Sequence, residues 1–318
     1  MSSWLLQKDL LKRFLTVKRR TAIIDGDIVV YRAGFASQSY SHKVLDNEGD
    51  ILGEFSSKAE ANDFLELVAM GEKVNPIIET EVLPKSQDDV DMIVDVMIKN
   101  IIVGSESTDY IVYLTGNTNF RNEVATIKEY KGNRSNSSRP VHYEYIRGYI
   151  EDQHPTITSD NCEADDLCAM RLFTEFQKAQ KSKLKSDCEA ILCSIDKDLR
   201  NIPGYHYNIK DRVIDWVTPK MANVHFAKQL LTGDNVDNIP GISFLSNQKK
   251  KVGPKTAEKM LDGAESIRDL SVKVCEVYEE FAGPEWEDKL QEVGSLLWMQ
   301  RSPLEDFSYN RWENLGYE

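Results

Sequence analysis

The sequence is short of sulfur and imidazole. Its 318 residues include only five cysteines and five histidines. Cys162, Cys168, Cys188, Cys193 and Cys275 are odd in number and form no Cys-x-x-Cys pair. A disulfide framework and a zinc site are therefore not expected, and reduced thiols in a cytoplasmic setting are. Long apolar runs are missing too. None reaches the roughly 18 residues that a membrane-spanning helix needs, so no membrane partner is expected. The opening MSSWLLQKDLLKRFLTVKRR is broken by charge and lacks the order of a signal peptide. There is no internal repeat and no low-complexity tract. An excess of positive charge is also lacking: the net charge is −13. That sum argues weakly against a nucleic-acid partner, but binding is local. Bases cluster at Lys18–Arg20, Lys128–Arg139 and Lys249–Lys259, and acids cluster elsewhere. A content of 41% hydrophobic and 29% charged residues excludes a disordered chain. The length allows a large core and two lobes.

Three short apolar runs read as buried parallel strands: Ala22–Asp25, Tyr110–Leu114 and Ala190–Ile195. Helical patterns lie between them. Val90, Ile93, Val94, Met97 and Ile101 recur at helical spacing, and Ser86 opens a capping box with Asp89. This alternation predicts an α/β fold with a mostly parallel sheet. Residues 37–86 read as a polar insertion holding a second helix around Ala61, Phe64, Leu65 and Val68. Pro219 starts a helix that ends near Gly233, and Pro254 starts the next one after Gly253. The tail from Pro284, with its scattered tryptophans, reads as a small helical cap. The expected division is a catalytic domain over 1–218 and a helical subdomain over 219–318.

In open α/β sheets ligands bind beyond the carboxyl ends of the strands. Asp25 ends the first strand, and Asp196 and Asp198 follow the third. Glu163, Asp165 and Asp166 open a helix in NCEADDLCAM, where Glu163 and Asp166 share a face. Asp234 and Asp237 in GDNVDN repeat that spacing. Each pair alone has an ordinary explanation: a helix N-terminus favours acid, and Asp before Gly suits a turn. Together these groups would not all stay ionised side by side without cations. Hard oxygen ligands without a histidine cluster point to Mg²⁺ or Mn²⁺. Two such ions support phosphodiester hydrolysis.

The basic residues complement this reading. In FRNEVATIKEYKGNR, Lys131 and Arg134 are placed to hold a phosphate, and Tyr130 to stack on a base; a solvated basic loop is the competing reading. Arg32 lies seven residues after Asp25, within reach of the same cleft. Tyr143, Tyr145 and Tyr149 mix two spacings and read as packing residues. The stretch LLTGDNVDNIPGISFLSNQKKKVGPKTAEKML puts acid at one end and glycine, base and a helix start at the other. It joins a metal-binding end to a phosphate-binding end, the latter placing Gly253 where backbone N–H groups approach a phosphate closely. Such contacts position a duplex without reading its sequence.

DGDIVVYR, YKGNR, CEADD, SIDKDL and GDNVDNIPGI…VGPKTAEKML occur in this order and at this spacing in a known family. The chain resembles a phage-type 5′ nuclease of the flap endonuclease family, related to the 5′-nuclease domain of bacterial DNA polymerase I, over roughly residues 19–262. The resemblance implies a PIN-like core with a helix-three-turn-helix. It implies two Mg²⁺ ions, for which Mn²⁺ substitutes, and K⁺ held by carbonyls of the hairpin. It implies cutting of DNA at 5′ ends, nicks or flaps, with RNA–DNA hybrids and RNA-primer removal in replication within its range. By the same resemblance Asp25, Glu163, Asp165, Asp166, Asp196, Asp198, Asp234 and Asp237 are the metal carboxylates. Lys131 and Arg32 are the catalytic cations and Tyr130 the stacking aromatic. Arg134, Gly241, Lys251, Gly253, Lys255 and Thr256 are DNA contacts. A phage origin, the host cytoplasm and a single-strand-binding protein or replicative polymerase as partners belong to the same expectation.

Three departures stand out. The family has an aspartate after its second strand where this chain has Gly116 and Asn117. SFLSNQKKK is inserted in the hairpin, where it either weakens the K⁺ site or adds phosphate contacts through Lys249, Lys250 and Lys251. Only 32 positions separate Lys131 from Glu163, short for an arch that threads a flap, which favours exonuclease behaviour. Two other readings stay open: a DNA-junction-binding protein with weakened catalysis, and a PIN-like ribonuclease.

Overall fold

The structure, a computed structural model, describes residues 19–71, 75–134, 138–246, 248–303, 305, 307, 308 and 312. The chain forms two compact units. One comprises residues 1–27, 100–137 and 154–318, the other 28–99 and 138–153. This division by compactness runs elsewhere than the 218/219 boundary.

The first unit is built on a six-stranded sheet. Its strands are β1 (Thr21–Asp25), β5 (Asp109–Leu114), β6 (Thr156–Thr158), β7 (Ala190–Ser194), β8 (Gly204–Asn208) and β9 (Val213–Val217). Their order is β6-β5-β1-β7-β8-β9, and only the β8–β9 pair is antiparallel. The three apolar runs are thus the three central strands. Ile23 and Ile24 of β1 and Ile191 of β7 are fully buried, as strands covered on both faces must be. Burying each such side chain contributes roughly 1.5–3 kcal/mol. The chain leaves β1 toward β5 and β6, then returns to lay β7 on the other side of β1. The topological switch therefore falls between β1 and β7, and their carboxyl ends carry Asp25 and the Ser194–Asp198 segment. Gly26 is required at this corner, because a Cβ there would lie 2.5 Å from the Tyr113 carbonyl oxygen.

The Ala164–Ser182 helix packs on this sheet through Cys168, Ala169, Leu172 and Phe176. Pro219–Thr232 is the helix its sequence predicts. Thr218 caps it by accepting from the Met221 N–H at 3.2 Å, and Gly233 ends it at φ +67°. It joins the helices Ile242–Leu245, Pro254–Met260, Ile267–Phe281 and Trp286–Leu297 in one apolar core. The tail is part of that core, because Trp298, Phe307 and Trp312 all stack edge-on or tilted around Phe226 or each other.

The second unit contains the insertion. It is more than a polar excursion with one helix: β2 (Gln38–Leu45), β3 (Ile51–Phe55) and β4 (Ile77–Pro84) form an antiparallel sheet in the order β3-β2-β4. The helix expected around Ala61 spans Lys58–Gly71. The helix expected around Val90 begins at Gln87, with Ser86 Oγ accepting from the Asp89 N–H and donating to Asp89 Oδ2, which is half of the expected capping box. Val90, Val94 and Ile101 are buried as the periodicity predicts, Ile93 and Met97 are half-buried, and Ile98 is buried beside them. Tyr145 and Tyr149 donate to Asp91 and Asp95 of this helix at 2.9 and 3.1 Å, which makes them packing residues.

Candidate active site

The carboxylates gather at the switch point from four separate segments of the first unit. Asp25 is 3% exposed, and its Oδ2 accepts from Ser194 Oγ at 2.7 Å across the β1–β7 junction. Ser194 Oγ accepts in turn from the Asp196 N–H at 2.9 Å. Asp196 Oδ1 accepts from the Asp198 N–H at 2.7 Å, which sets the short turn after β7. Asp198 accepts from Gln229 Nε2 at 2.7 Å, a link from the sheet to the Pro219–Thr232 helix. Asp165 has no hydrogen-bond donor among the described residues.

The electrostatics fit a crowded acid site. Burial, then the charges of Asp25, Asp196 and Glu163, push Asp165 well above the usual carboxylate range. Burial is also the largest cause of the upward shift of Asp196. Burial, then Asp196 and Asp234, push Asp198 up to about 8. The donor set is hard oxygen throughout, which suits Mg²⁺ or Mn²⁺. Among the described residues, however, no three His, Cys, Asp or Glu side chains stand close enough to clasp an ion as they are.

Ammonium and guanidinium groups occupy several of these acids instead. Lys131 Nζ contacts Glu163 Oε1 closely and lies 3.8 Å from Asp237 Oδ2. Burial works against the Lys131 charge, but Glu163 and Asp237 hold its pKa above the ordinary value. Lys197 Nζ bonds Asp234 Oδ2 at 2.6 Å. Although burial opposes it, that contact and the Val236 and Asp237 N–H groups hold Asp234 below the ordinary carboxylate range.

YKGNR and GDNVDN, about a hundred residues apart, interlock. The Lys131 N–H donates to the Asp237 carbonyl at 2.9 Å, with Lys131 at φ +56°. Asn133 donates to the Asn235 carbonyl at 2.7 Å, and Asn238 to the Glu129 carbonyl at 2.8 Å. Arg134 bonds Asp237 Oδ1 and donates to the Val236 carbonyl. Two polar motifs thus satisfy each other's backbone groups, which fixes Lys131 beside the acids.

Several expected roles change. Tyr130 is only 8% exposed and sits in the helical core, so its ring has no face for a nucleobase. Its hydroxyl donates to Glu163 at 2.9 Å and to Asp237 at 3.1 Å, which orients both acids. Asp166 pairs with Glu163 in a capping box at the start of the Ala164–Ser182 helix. It is fully buried, and both oxygens are filled: Arg121 and the Glu163 N–H bond Oδ2, and Arg121 and the Gln300 N–H bond Oδ1. It is a strut of the site and not a free ligand. Gly241 is buried, and a Cβ there would lie 2.2 Å from the Thr232 backbone. Its smallness serves packing against Thr232–Gly233, not approach to a phosphate. Gly116 leaves no room for the family's aspartate either, since a Cβ would lie 2.1 Å from the Ser159 carbonyl oxygen.

Lys251, Gly253 and Lys255 are exposed, and Thr256 is half-buried on the Pro254–Met260 helix. Arg32 lies in the second unit, exposed on the Gly26–Ala36 helix. Sequence reasoning missed Arg121, Lys197, Ser194 and Gln229. Lys197 stands inside SIDKDL and was open to the same argument as Lys131. Arg121 carried no local signal of burial.

No family model matches the chain. DNA polymerase I of Rhizobium leguminosarum is 29% identical over 134 residues, which is 39% of this chain and 12% of that protein's length. The T5 D15 protein co-crystallised with metal ions superposes with a TM-score of 0.52 at 15% identity, covering 88% of this chain and 89% of that one. The bacteriophage T5 D15 flap endonuclease, in a pseudo-enzyme-product complex with DNA and metal ions, aligns at a TM-score of 0.45 and 14% identity, over 93% and 97%. The chain therefore has the fold of the T5 D15 protein, and the resemblance to phage-type 5′ nucleases that its motifs carry extends to its three-dimensional structure.

Proposed function

We propose that this chain is a divalent-metal-dependent 5′ nuclease that hydrolyses phosphodiester bonds of DNA at 5′ ends, nicks or flaps. The observation that carries this reading is the convergence of Asp25, Asp165, Asp196 and Asp198 at the β1–β7 switch point, with Lys131 held beside them by the GDNVDN loop. Those four carboxylates, with Glu163, Asp234 and Asp237 around them, would hold two Mg²⁺ or Mn²⁺ ions. Such ions supply a nucleophile at neutral pH and stabilise the leaving oxygen. Tyr130 orients Glu163 and Asp237. Lys131 neutralises the scissile phosphate by exchanging Glu163 for it. Residues 1–218 are the catalytic part. Residues 219–318 grip the duplex backbone through Lys251, Lys255 and Thr256, with Arg134 at the junction and K⁺ in the hairpin. Removal of 5′ strands, RNA primers included, during replication is the role this chemistry fits, with a single-strand-binding protein or polymerase as partner.

The test is a time course on duplex DNA with a 5′ flap, labelled at the 5′ end and internally, with Mg²⁺ or with chelator. Metal-dependent release of flap-length or mononucleotide fragments is expected, the fragment length deciding between endonuclease and exonuclease. Asp198→Asn keeps the acceptor for Gln229, so the fold should hold. It should slow cleavage on the order of a hundredfold or more while leaving DNA binding intact. Equal cleavage by this variant refutes the assignment. Binding to flapped DNA without cleavage in Mg²⁺ or Mn²⁺ favours the junction-binding reading, for which the crowding at Gly116 is the structural argument.

A further inference from the structure

Tyr130 is buried, so the base-stacking aromatic expected from the sequence is not where the motif puts it. The inserted SFLSNQKKK stretch offers another. Its base is closed, because Ser243 Oγ accepts from the Val252 N–H at 2.8 Å and donates to the Val252 carbonyl at 3.1 Å. Ser246 Oγ accepts from the Gln248 and Lys250 N–H groups, both at 3.2 Å. Lys250 Nζ lies 4.5 Å from the centre of the Phe281 ring, which pins the far side. Within the Ile242–Leu245 helix, Ile242 and Leu245 are buried and anchor the loop, whereas Phe244 is 60% exposed. Lys128 Nζ sits 5.1 Å from the Phe244 ring centre. Lys249 and Lys251 of the insertion and Lys255 of the helix that follows are exposed.

We infer that Phe244, backed by Lys128, is a stacking platform for an unstacked nucleobase, and that it recognises a break or end in duplex DNA. The inference rests on the nuclease reading above and names how that site selects its substrate. An ammonium over one face of an aromatic ring leaves the opposite face for a flat partner. Inside a continuous duplex every base face is already stacked. Only a nick, a strand end or a flap junction presents a free one. Stacking of this kind is indifferent to sequence, because every base has a π-face. Lys128 and the exposed lysines of the same segment supply phosphate attraction. The position is also suitable. Lys128 is three residues from Lys131, at most about 11 Å of chain. Phe244 is three residues from Gly241, which packs directly on Thr232–Gly233 beside Asp234.

The experiment measures binding of wild type and Phe244→Ala by fluorescence anisotropy, in Ca²⁺ to suppress turnover. Three DNAs of one sequence are used: continuous duplex, nicked duplex and 5′-flap duplex, the last two with 2-aminopurine at the break. Wild type should prefer the broken duplexes and quench or restack the 2-aminopurine. Phe244→Ala should bind the nicked and flapped forms on the order of tenfold more weakly. It should bind continuous duplex unchanged, and Phe244→Trp should retain the preference. Equal losses on all three DNAs, or no loss on any, overturn the inference. If wild type prefers and cleaves broken DNA and Phe244→Ala does so equally, this inference fails and the nuclease reading stands. If wild type neither prefers nor cleaves it, both fail.

Discussion

Arg121 gives the most decisive test of how the acid site is held. It is fully buried, with 0% accessibility on both its side chain and that of Asp166. Its guanidinium makes two bonds to Asp166 and donates to the Leu296 and Trp298 carbonyls at 2.9 and 2.8 Å. The segment that supplies Glu163 and Asp165 is thereby tied to the C-terminal helix. Burial opposes the charge, yet Asp166 holds the Arg121 pKa well above its ordinary value. Replacing Arg121 by Met keeps much of the volume but leaves a buried carboxylate unpaired. Breaking one side of a buried pair costs about 3–5 kcal/mol. Each carbonyl left without a donor adds up to about 1 kcal/mol or more, and the contributions do not add fully. A total of about 4–6 kcal/mol is expected. With a urea slope of about 1–3 kcal/mol per molar, the midpoint should fall by roughly 2 M. Tryptophan fluorescence is the natural readout, since Trp286, Trp298 and Trp312 lie in the core that Arg121 reaches. Replacing both partners, as in Arg121→Met with Asp166→Leu, should recover at least about 2 kcal/mol, because no buried charge remains. A midpoint shift below about 0.5 M for the single variant, or no recovery in the double, refutes the argument.

Two further outcomes follow from the same geometry. Gly116→Asp introduces the aspartate that the sequence resemblance leads one to expect there, but its Cβ would meet the Ser159 carbonyl at 2.1 Å. It should destabilise the protein by roughly 1–3 kcal/mol in urea titration and raise no metal-dependent cleavage; a gain in cleavage would show that the backbone yields there. Burial holds His206 neutral and pushes its pKa down to about 4. A ring neutral in the fold contributes stability above its unfolded pKa of about 6.5, and that contribution is lost as pH falls toward 4. The shift corresponds to about 3 kcal/mol. His206→Gln should therefore lose less stability than wild type between pH 7 and 4.5, and parallel losses would contradict the sign of the shift.

Much of the fold was legible because its signals are local. Continuous apolar runs named β1, β5 and β7. Ser86 with Asp89, Pro219 with Gly233, and Gly253 with Pro254 marked helix ends that the backbone obeys. The insertion was visible as a segment but not as a sheet. Its strands are mostly exposed, so no buried face writes an alternating pattern into β3 or β4.

By itself the sequence determined which chemistry is present: hard oxygen donors, few sulfur or imidazole ligands, and two motifs with lysine beside acid. Side-chain type is a property of the chain, and no fold alters it. The tertiary structure alone decided how those groups are used. Asp166 and Arg121 are 45 positions apart and meet in a site without water, where an unpaired charge is intolerable. Tyr130 faces inward because the apolar core on the Pro219–Thr232 helix closes over it, while its hydroxyl still reaches Glu163 and Asp237. Phe244 faces outward because Ile242 and Leu245 take the buried side of the same helical turn. Residue identity sets what a group is able to do. Which face is buried, and which partner lies across the fold, sets what it does.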